Sequence, residues 1–219
     1  MSTRAQSVHT VPAATQGRFL VSRPSMPPVG ILVGFHGYGE NAAIHLAELE
    51  RLDAAGAWLL VAVQGLHRFY SRHGQVIASW MTSEDREAAI ADNIRYVADV
   101  VRSVRRETIA SARLVYAGFS QGAAMACRAA AFAGLPCDGL IMLGGDIPPE
   151  IHADDAVTLP PVVLGRGRRD DWYSQAKQDA DQAFLDRRGI DVEVVIFDGG
   201  HEWSDVFRTA AGRMLGRLS

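Results

Sequence analysis

The chain has 219 residues, enough for one domain with a continuous core, since single domains run to roughly 250 residues before splitting. Its 22 basic and 25 acidic side chains leave a formal charge of -3, which gives no reason to expect a nucleic acid or an anionic membrane as partner. Residues 1–12 carry no apolar run behind Arg4. Residues 114–135, the most apolar stretch, are interrupted by Ser120, Gln121 and Arg128, and the two cysteines, Cys127 and Cys137, form no metal or redox spacing. Neither a secretory leader, a membrane span nor a disulfide scaffold is therefore expected, and a soluble, cytoplasmic protein is.

Short runs of Val, Ile and Leu alternate with longer segments of helical period, the pattern of an α/β protein whose mostly parallel sheet is covered by helices on both faces. In chain order, strands are expected at 7–11 and 18–22, with no helix between them and hence an antiparallel edge. A strand at 30–35, a helix at 42–54 and a strand at 59–63 follow. The helix expected at 85–106 repeats Ile90, Ile94, Val97, Val101 and Val104 at three- and four-residue steps, one apolar face to lie on the sheet. A strand at 114–117, a helix at 121–133, strands at 139–143 and 162–164, a helix at 172–187, a strand at 191–197 and a helix at 202–218 complete the series. There is no repeat or low-complexity tract, and 24–28 reads as a loop, so residues 1–219 are read as a single domain with no separate lid.

Between the strand at 114–117 and the helix behind it stands Gly118-Phe119-Ser120-Gln121-Gly122, a G-x-S-x-G pattern in the strand–turn–helix context that gives it meaning. A tight turn there lifts the serine hydroxyl above the sheet, and the flanking glycines remove side chains that would collide with neighbouring strands. The helix start also aims backbone N–H groups at charge developing on a carbonyl oxygen. The bland alternative is a serine capping an ordinary βα turn.

A serine hydroxyl needs a base within hydrogen-bond reach and a carboxylate to orient that base. His201 follows the strand ending at Phe197 through Asp198-Gly199-Gly200 and precedes the last helix, so it sits where a base belongs. His9 falls in the expected edge strand, His67 and His73 precede the serine, and no strand leads into His152; His36 ends a strand and is read as shaping the loop beside the serine. Asp170, in Gly167-Arg168-Arg169-Asp170, is read as the acid, with Asp171 left open by spacing; Asp198 reads as a turn residue. The loop His36-Gly37-Tyr38-Gly39 supplies free backbone N–H groups, and the oxyanion donors are assigned to the backbones of Tyr38 and Gln121. Gly37 to Ala42 also fits G-x-G-x-x-A, but no acid ends the next strand, which removes the dinucleotide reading.

Four blocks taken together, HGYGEN at 36–41, GFSQG at 118–122, GRRD at 167–170 and GGHEW at 199–203, resemble the phospholipase/carboxylesterase family of α/β-hydrolases, which also contains the acyl-protein thioesterases. The resemblance runs from about Gly30 to the C-terminus. It implies that Ser120, Asp170 and His201 form a catalytic triad, that Tyr38 and Gln121 are the oxyanion donors, and that Trp80 stands beside the active site. The chain departs from the pattern at Trp80-Met81-Thr82, where the family often reads Trp-Phe-Asp, and at Ala123, which replaces a third glycine. These departures touch acyl specificity, not the triad.

The chemistry expected is acyl transfer to water from small or medium esters, with no cofactor and no metal; H-E-x-x-H spacing is absent. Trp80, Met81, Ile147, Trp172 and Trp203 are candidates for contacting substrate by loop position, and each could equally be core. Alternatives are a thioesterase or lysophospholipase, and a non-catalytic binding protein on the same fold. The partner expected is a small acyl ester, with the protein a monomer or homodimer.

Overall fold

The computed structural model describes residues 6–107 and 113–219; residues 1–5, part of the stretch read for a leader, lie outside them. Nine strands and six helices follow one another as β1 (Arg18–Ser22), β2 (Gly30–Phe35), α1 (Ala42–Leu52), β3 (Trp58–Gln64), β4 (His67–Tyr70), β5 (Val76–Ser79), α2 (Arg86–Glu107), β6 (Arg113–Phe119), α3 (Gln121–Phe132), β7 (Gly139–Leu143), α4 (Pro149–His152), β8 (Val162–Gly167), α5 (Gln175–Arg187), β9 (Val192–Phe197) and α6 (Asp205–Leu218), counted among the described residues. Seven strands form one sheet in the order β1-β3-β2-β6-β7-β8-β9. It is parallel throughout except for β1, which runs antiparallel to β3.

Alternate residues of the central strands serve opposite faces, as a pleated strand requires. Ile31, Val33, Leu59, Val61, Leu114 and Tyr116 pack with α2, α3 and α5 through residues such as Val97, Met125 and Phe184. Leu32, Leu60, Ala62, Val115 and Ala117 pack on the other side with Leu49 of α1 and Phe207 and Met214 of α6. Burial on both faces is why these strands read as unbroken apolar runs.

Three expectations need correction. Residues 7–11 form no strand: Val8 and Val11 are exposed, so the segment has no core to bury against and β1 alone supplies the antiparallel edge. Consequently His9 lies outside the sheet and hydrogen-bonds its near neighbour Ser7. The helices expected from 172 and 202 begin three residues later, because Ser174 and Ser204 are the N-caps, accepting from Lys177 and Phe207 N–H. The hairpin β4–β5 was not anticipated; its strands are four residues each and β4 is exposed along its length, so burial leaves little trace in its sequence. It docks on the loop after β2, where Gly39 N–H donates to Ala78 O and Ala78 N–H to Glu40 O.

Candidate active site

Ser120 stands between β6 and α3 with φ 56° and ψ -122°, a left-handed conformation that costs a non-glycine residue about 1–3 kcal/mol and persists only where its surroundings enforce it. The enforcing contacts are close. A Cβ on Gly118 would lie 2.1 Å from Gly122 O, and one on Gly122 would lie 2.0 Å from Phe35 O. The turn is thereby pressed against β2 while Ser120 N–H donates to Leu143 O of β7 at 2.8 Å.

Asp170 follows β8 and His201 follows β9, both at the same strand ends as Ser120. Asp170 Oδ2 is 2.8 Å from His201 Nδ1, and His201 Nε2 is 2.8 Å from Ser120 Oγ. Asp170 Oδ1 accepts from Trp172 and Tyr173 N–H, each at 2.9 Å. An ionised carboxylate only accepts, so Nδ1 carries the histidine proton and Nε2 is free to accept from the serine hydroxyl. Asp171 is exposed and makes no such contact, and Asp198 pairs with Arg169 at the surface. The His201 ring packs on Phe119 at 4.9 Å between centroids.

In the loop after β2, Gly37 N–H donates to Glu40 Oε2 at 2.7 Å, Gly39 N–H to Ala78 O and Glu40 N–H to Gly37 O. Among the described residues no acceptor is recorded for Tyr38 N–H, and Gln121 N–H, in the first turn of α3, has no intrahelical one. Burial raises the pKa of Glu40, against the lowering effect of the Gly37 N–H. His36 is fully buried: its Nε2 accepts from Gly65 N–H at 3.0 Å, so Nδ1 donates to Gly37 O at 2.7 Å. Burial lowers its pKa, keeping it neutral. The Gln121 side chain accepts from Trp80 N–H at 2.9 Å and donates to Met81 O at 2.9 Å. Trp80 Nε1–H donates to His36 O at 2.9 Å, and Asn93 donates to Trp80 O at 2.7 Å.

A family model described as phospholipase/carboxylesterase matches residues 16–212. The chain belongs to the phospholipase/carboxylesterase family. Solved structures agree on the fold: an esterase named PE8 is 22% identical over 94% of this chain and 100% of its own, with a TM-score of 0.76. An acyl-protein thioesterase 2 from Zea mays is 20% identical over 93% and 99%, at 0.75; a carboxylesterase from Bacillus cereus is 16% identical over 93% and 95%, at 0.70. No curated protein matches the sequence significantly.

In this phospholipase/carboxylesterase family member a cavity of about 300 Å³ opens beside Ser120. A larger groove of about 660 Å³ between α1 and α6 contains none of Ser120, His201 and Asp170, so chemistry, not volume, designates the site. Of the five substrate-contact candidates, Met81 and Trp172 line the cavity at Ser120, Trp172 being 76% exposed. Trp80 is wholly buried and serves as a tie between loops. Ile147 is buried with its N–H on Asp181, and Trp203 packs on Phe119 and Phe207; neither lines that cavity. Sequence reading missed Gly144 and Gly145, although a Gly-Gly-Asp after an apolar strand was a usable signal. A Cβ on Gly145 would lie 2.3 Å from Ser120 O. It also missed Arg86, Arg128 and Lys177 on the cavity wall. Among the described residues no group of three or more His, Cys, Asp or Glu is placed to hold a metal, and no helix is long and apolar enough to cross a membrane.

Proposed function

We propose that this hydrolase is a serine carboxylesterase that cleaves small to medium acyl esters through an acyl-enzyme. One observation carries the reading: the continuous hydrogen-bonded chain from Ser120 Oγ through His201 to Asp170, each link 2.8 Å; the backbone N–H groups of Tyr38 and Gln121, for which no acceptor is recorded among the described residues, supply the donors. His201 Nε2 takes the hydroxyl proton as Ser120 Oγ bonds to the ester carbonyl carbon. The oxyanion is held by Tyr38 and Gln121 N–H. Collapse breaks the bond to the alcohol oxygen, which leaves with the proton from His201. Water then attacks the acyl-enzyme, giving its proton to His201, and the acid departs as the proton returns to Ser120. Asp170 stabilises the imidazolium formed in each half.

A cavity of about 300 Å³ stands at the lower end of small-molecule sites, which span roughly 300–1,000 Å³, and favours short acyl groups. One feature favours a thioesterase or lysophospholipase instead. Tyr38 and Phe69 are in ring contact at 5.8 Å, both exposed, and Ile77 lies across the hairpin from Phe69 on the same face, an apolar patch over which a longer acyl chain would extend.

The test is intact mass after exposure to a fluorophosphonate, on the wild type, Ser120→Ala and His201→Ala. A single adduct on the wild type that both substitutions remove supports an activated Ser120; no adduct on the folded wild type sinks the reading. Ester and thioester panels of increasing acyl length then separate the two substrate classes.

A further inference from the structure

Three cations share the cavity with Ser120: Arg86 at the start of α2, Arg128 on α3 and Lys177 in the first turn of α5. Arg128 is the unusual one. Ser120, Ala124 and Arg128 lie at four-residue steps along the wall, so one face of α3 joins the serine to the arginine, whose backbones stand about 12 Å apart along the axis while the arginine side chain leans back toward the serine. Its side chain is only 3% exposed, and Nε donates to Glu150 Oε1 at 2.6 Å. Among the described residues neither Nη1 nor Nη2 has an acceptor recorded.

A guanidinium is costly to bury unless its donors are answered. Glu150 answers one edge of Arg128 and is itself shared, with Arg86 Nη2 at 3.7 Å from its other oxygen. Burial would raise the pKa of Glu150, but the hydrogen bond and charge of Arg128 with the charge of Arg86 bring it below its ordinary value, so this carboxylate is spoken for. Lys177 Nζ faces Asp146 at 3.3 Å and donates to Trp172 O at 3.1 Å. The two carboxylates leave one positive charge in excess, and the nearby Glu84 and Asp85 do not line the wall. A purely aliphatic acyl pocket has no use for such a wall. A fork of planar donors with one surplus charge matches a monoanionic, planar oxygen pair better than a dianion.

We infer that the substrate of this site is an ester that carries a free carboxylate within roughly 12 Å of the scissile carbonyl, the carboxylate being received by Arg128 with Arg86 and Lys177 beside it. This deepens the esterase reading and rests on it. The wall sets specificity by charge: a carboxylate-bearing ester binds with its carbonyl over Ser120, while the same ester capped as a methyl ester leaves the Arg128 donors unanswered.

The experiment compares kcat/KM for matched pairs, free acid against methyl-capped. The p-nitrophenyl monoesters of adipic, suberic and sebacic acids place the carboxylate on the acyl side, and 6-acetoxyhexanoate places it on the alcohol side. The free acid should exceed its capped partner by at least about tenfold in one arm, the lower end of what one charged hydrogen bond contributes. The ratio should fall with added NaCl and approach one in Arg128→Met. Because that substitution strands Glu150, Arg86→Gln and Lys177→Gln, at half-exposed positions, provide independent arms, and each should lower the ratio severalfold. Equal or better hydrolysis of the capped esters, or a ratio unmoved by all three substitutions, overturns the inference while leaving the esterase reading intact. If the folded wild type neither labels with the fluorophosphonate nor hydrolyses either partner, both fall together.

Discussion

Among the described residues an aspartate meets a histidine twice, and the two pairs differ in what lies beyond the ring. Asp170 and His201 sit on loops at strand ends, and the far nitrogen of His201 reaches the hydroxyl of Ser120. Asp181 and His152 are 3.1 Å apart on α5 and at the end of α4, and the His152 ring packs on Phe184 at 4.3 Å. Asp181 also accepts from Tyr173 OH at 2.8 Å and Ile147 N–H at 3.1 Å, which fixes the loop between β7 and α4. On the proposed mechanism an acid–base pair becomes reactive through its third partner and its place at the edge of the sheet; without them the same two residue types are a strut. Tyr173 joins both, giving its N–H to one aspartate and its hydroxyl to the other.

The comparison is broken most severely by exchanging each carboxylate for its amide. Asp170→Asn should lower kcat on a neutral ester by on the order of a thousand- to ten-thousand-fold, by presenting His201 in the wrong tautomer. Asp181→Asn should cost far less activity and about 1–2 kcal/mol of stability in urea unfolding, from the weakened bonds to Tyr173 and Ile147. Equal losses of kcat would mean that the contrast between reactive pair and strut is false. The second pair also has a pH signature. Burial raises the pKa of Asp181 above 3.8, outweighing the hydrogen bonds from Tyr173, Ile147 and His152. Its contribution to stability is therefore present at low pH and lost as pH rises through the folded value. Unfolding free energies measured across that range should flatten in Asp181→Asn.

A third histidine sharpens the comparison because it has no carboxylate. His45 on α1 is wholly buried, and burial, with a smaller push from His36, lowers its pKa from 6.5 to about 3. It stays neutral in the folded protein while the unfolded chain takes up a proton, so stability should fall as pH drops from about 6.5 toward 3, by up to about 1.4 kcal/mol per unit. His45→Leu should remove that slope, read from urea midpoints between pH 4 and 7, whereas a slope unchanged by the substitution would contradict the assignment. The smallest effect concerns the serine itself: Ser120→Gly should be about 1 kcal/mol more stable than Ser120→Ala by thermal unfolding, since both lack the hydroxyl and glycine alone accepts φ 56° without strain.

Much of this arrangement could be read before any coordinates. The buried parallel strands announce themselves as apolar runs, and Ser120, Asp170 and His201 each follow one of them through a short turn, so chain order alone brings them to one edge. The hairpin at His67–Ser79 escaped because its strands are only four residues long, β4 is exposed throughout and β5 is buried only at its end, so neither carries an apolar alternation to betray it. Trp80 was placed in a substrate role by its loop position, but three hydrogen bonds to its backbone and ring make it a tie inside the core. Arg128 was noticed only as an interruption that spoils a membrane span. Its meaning depends on Arg86, Glu150 and Lys177 converging from three other helices, and spacing along one chain cannot show that.

The position of Gln121 has a consequence for how this protein could drift under selection. Its backbone N–H is the proposed oxyanion donor, and no substitution short of proline can delete that group. Its side chain, pointing the other way, holds Trp80 and Met81. Any intolerance at 121 would therefore arise from the ties to Trp80 and Met81, and a mutational scan would score as catalytic a position whose replaceable part is carpentry.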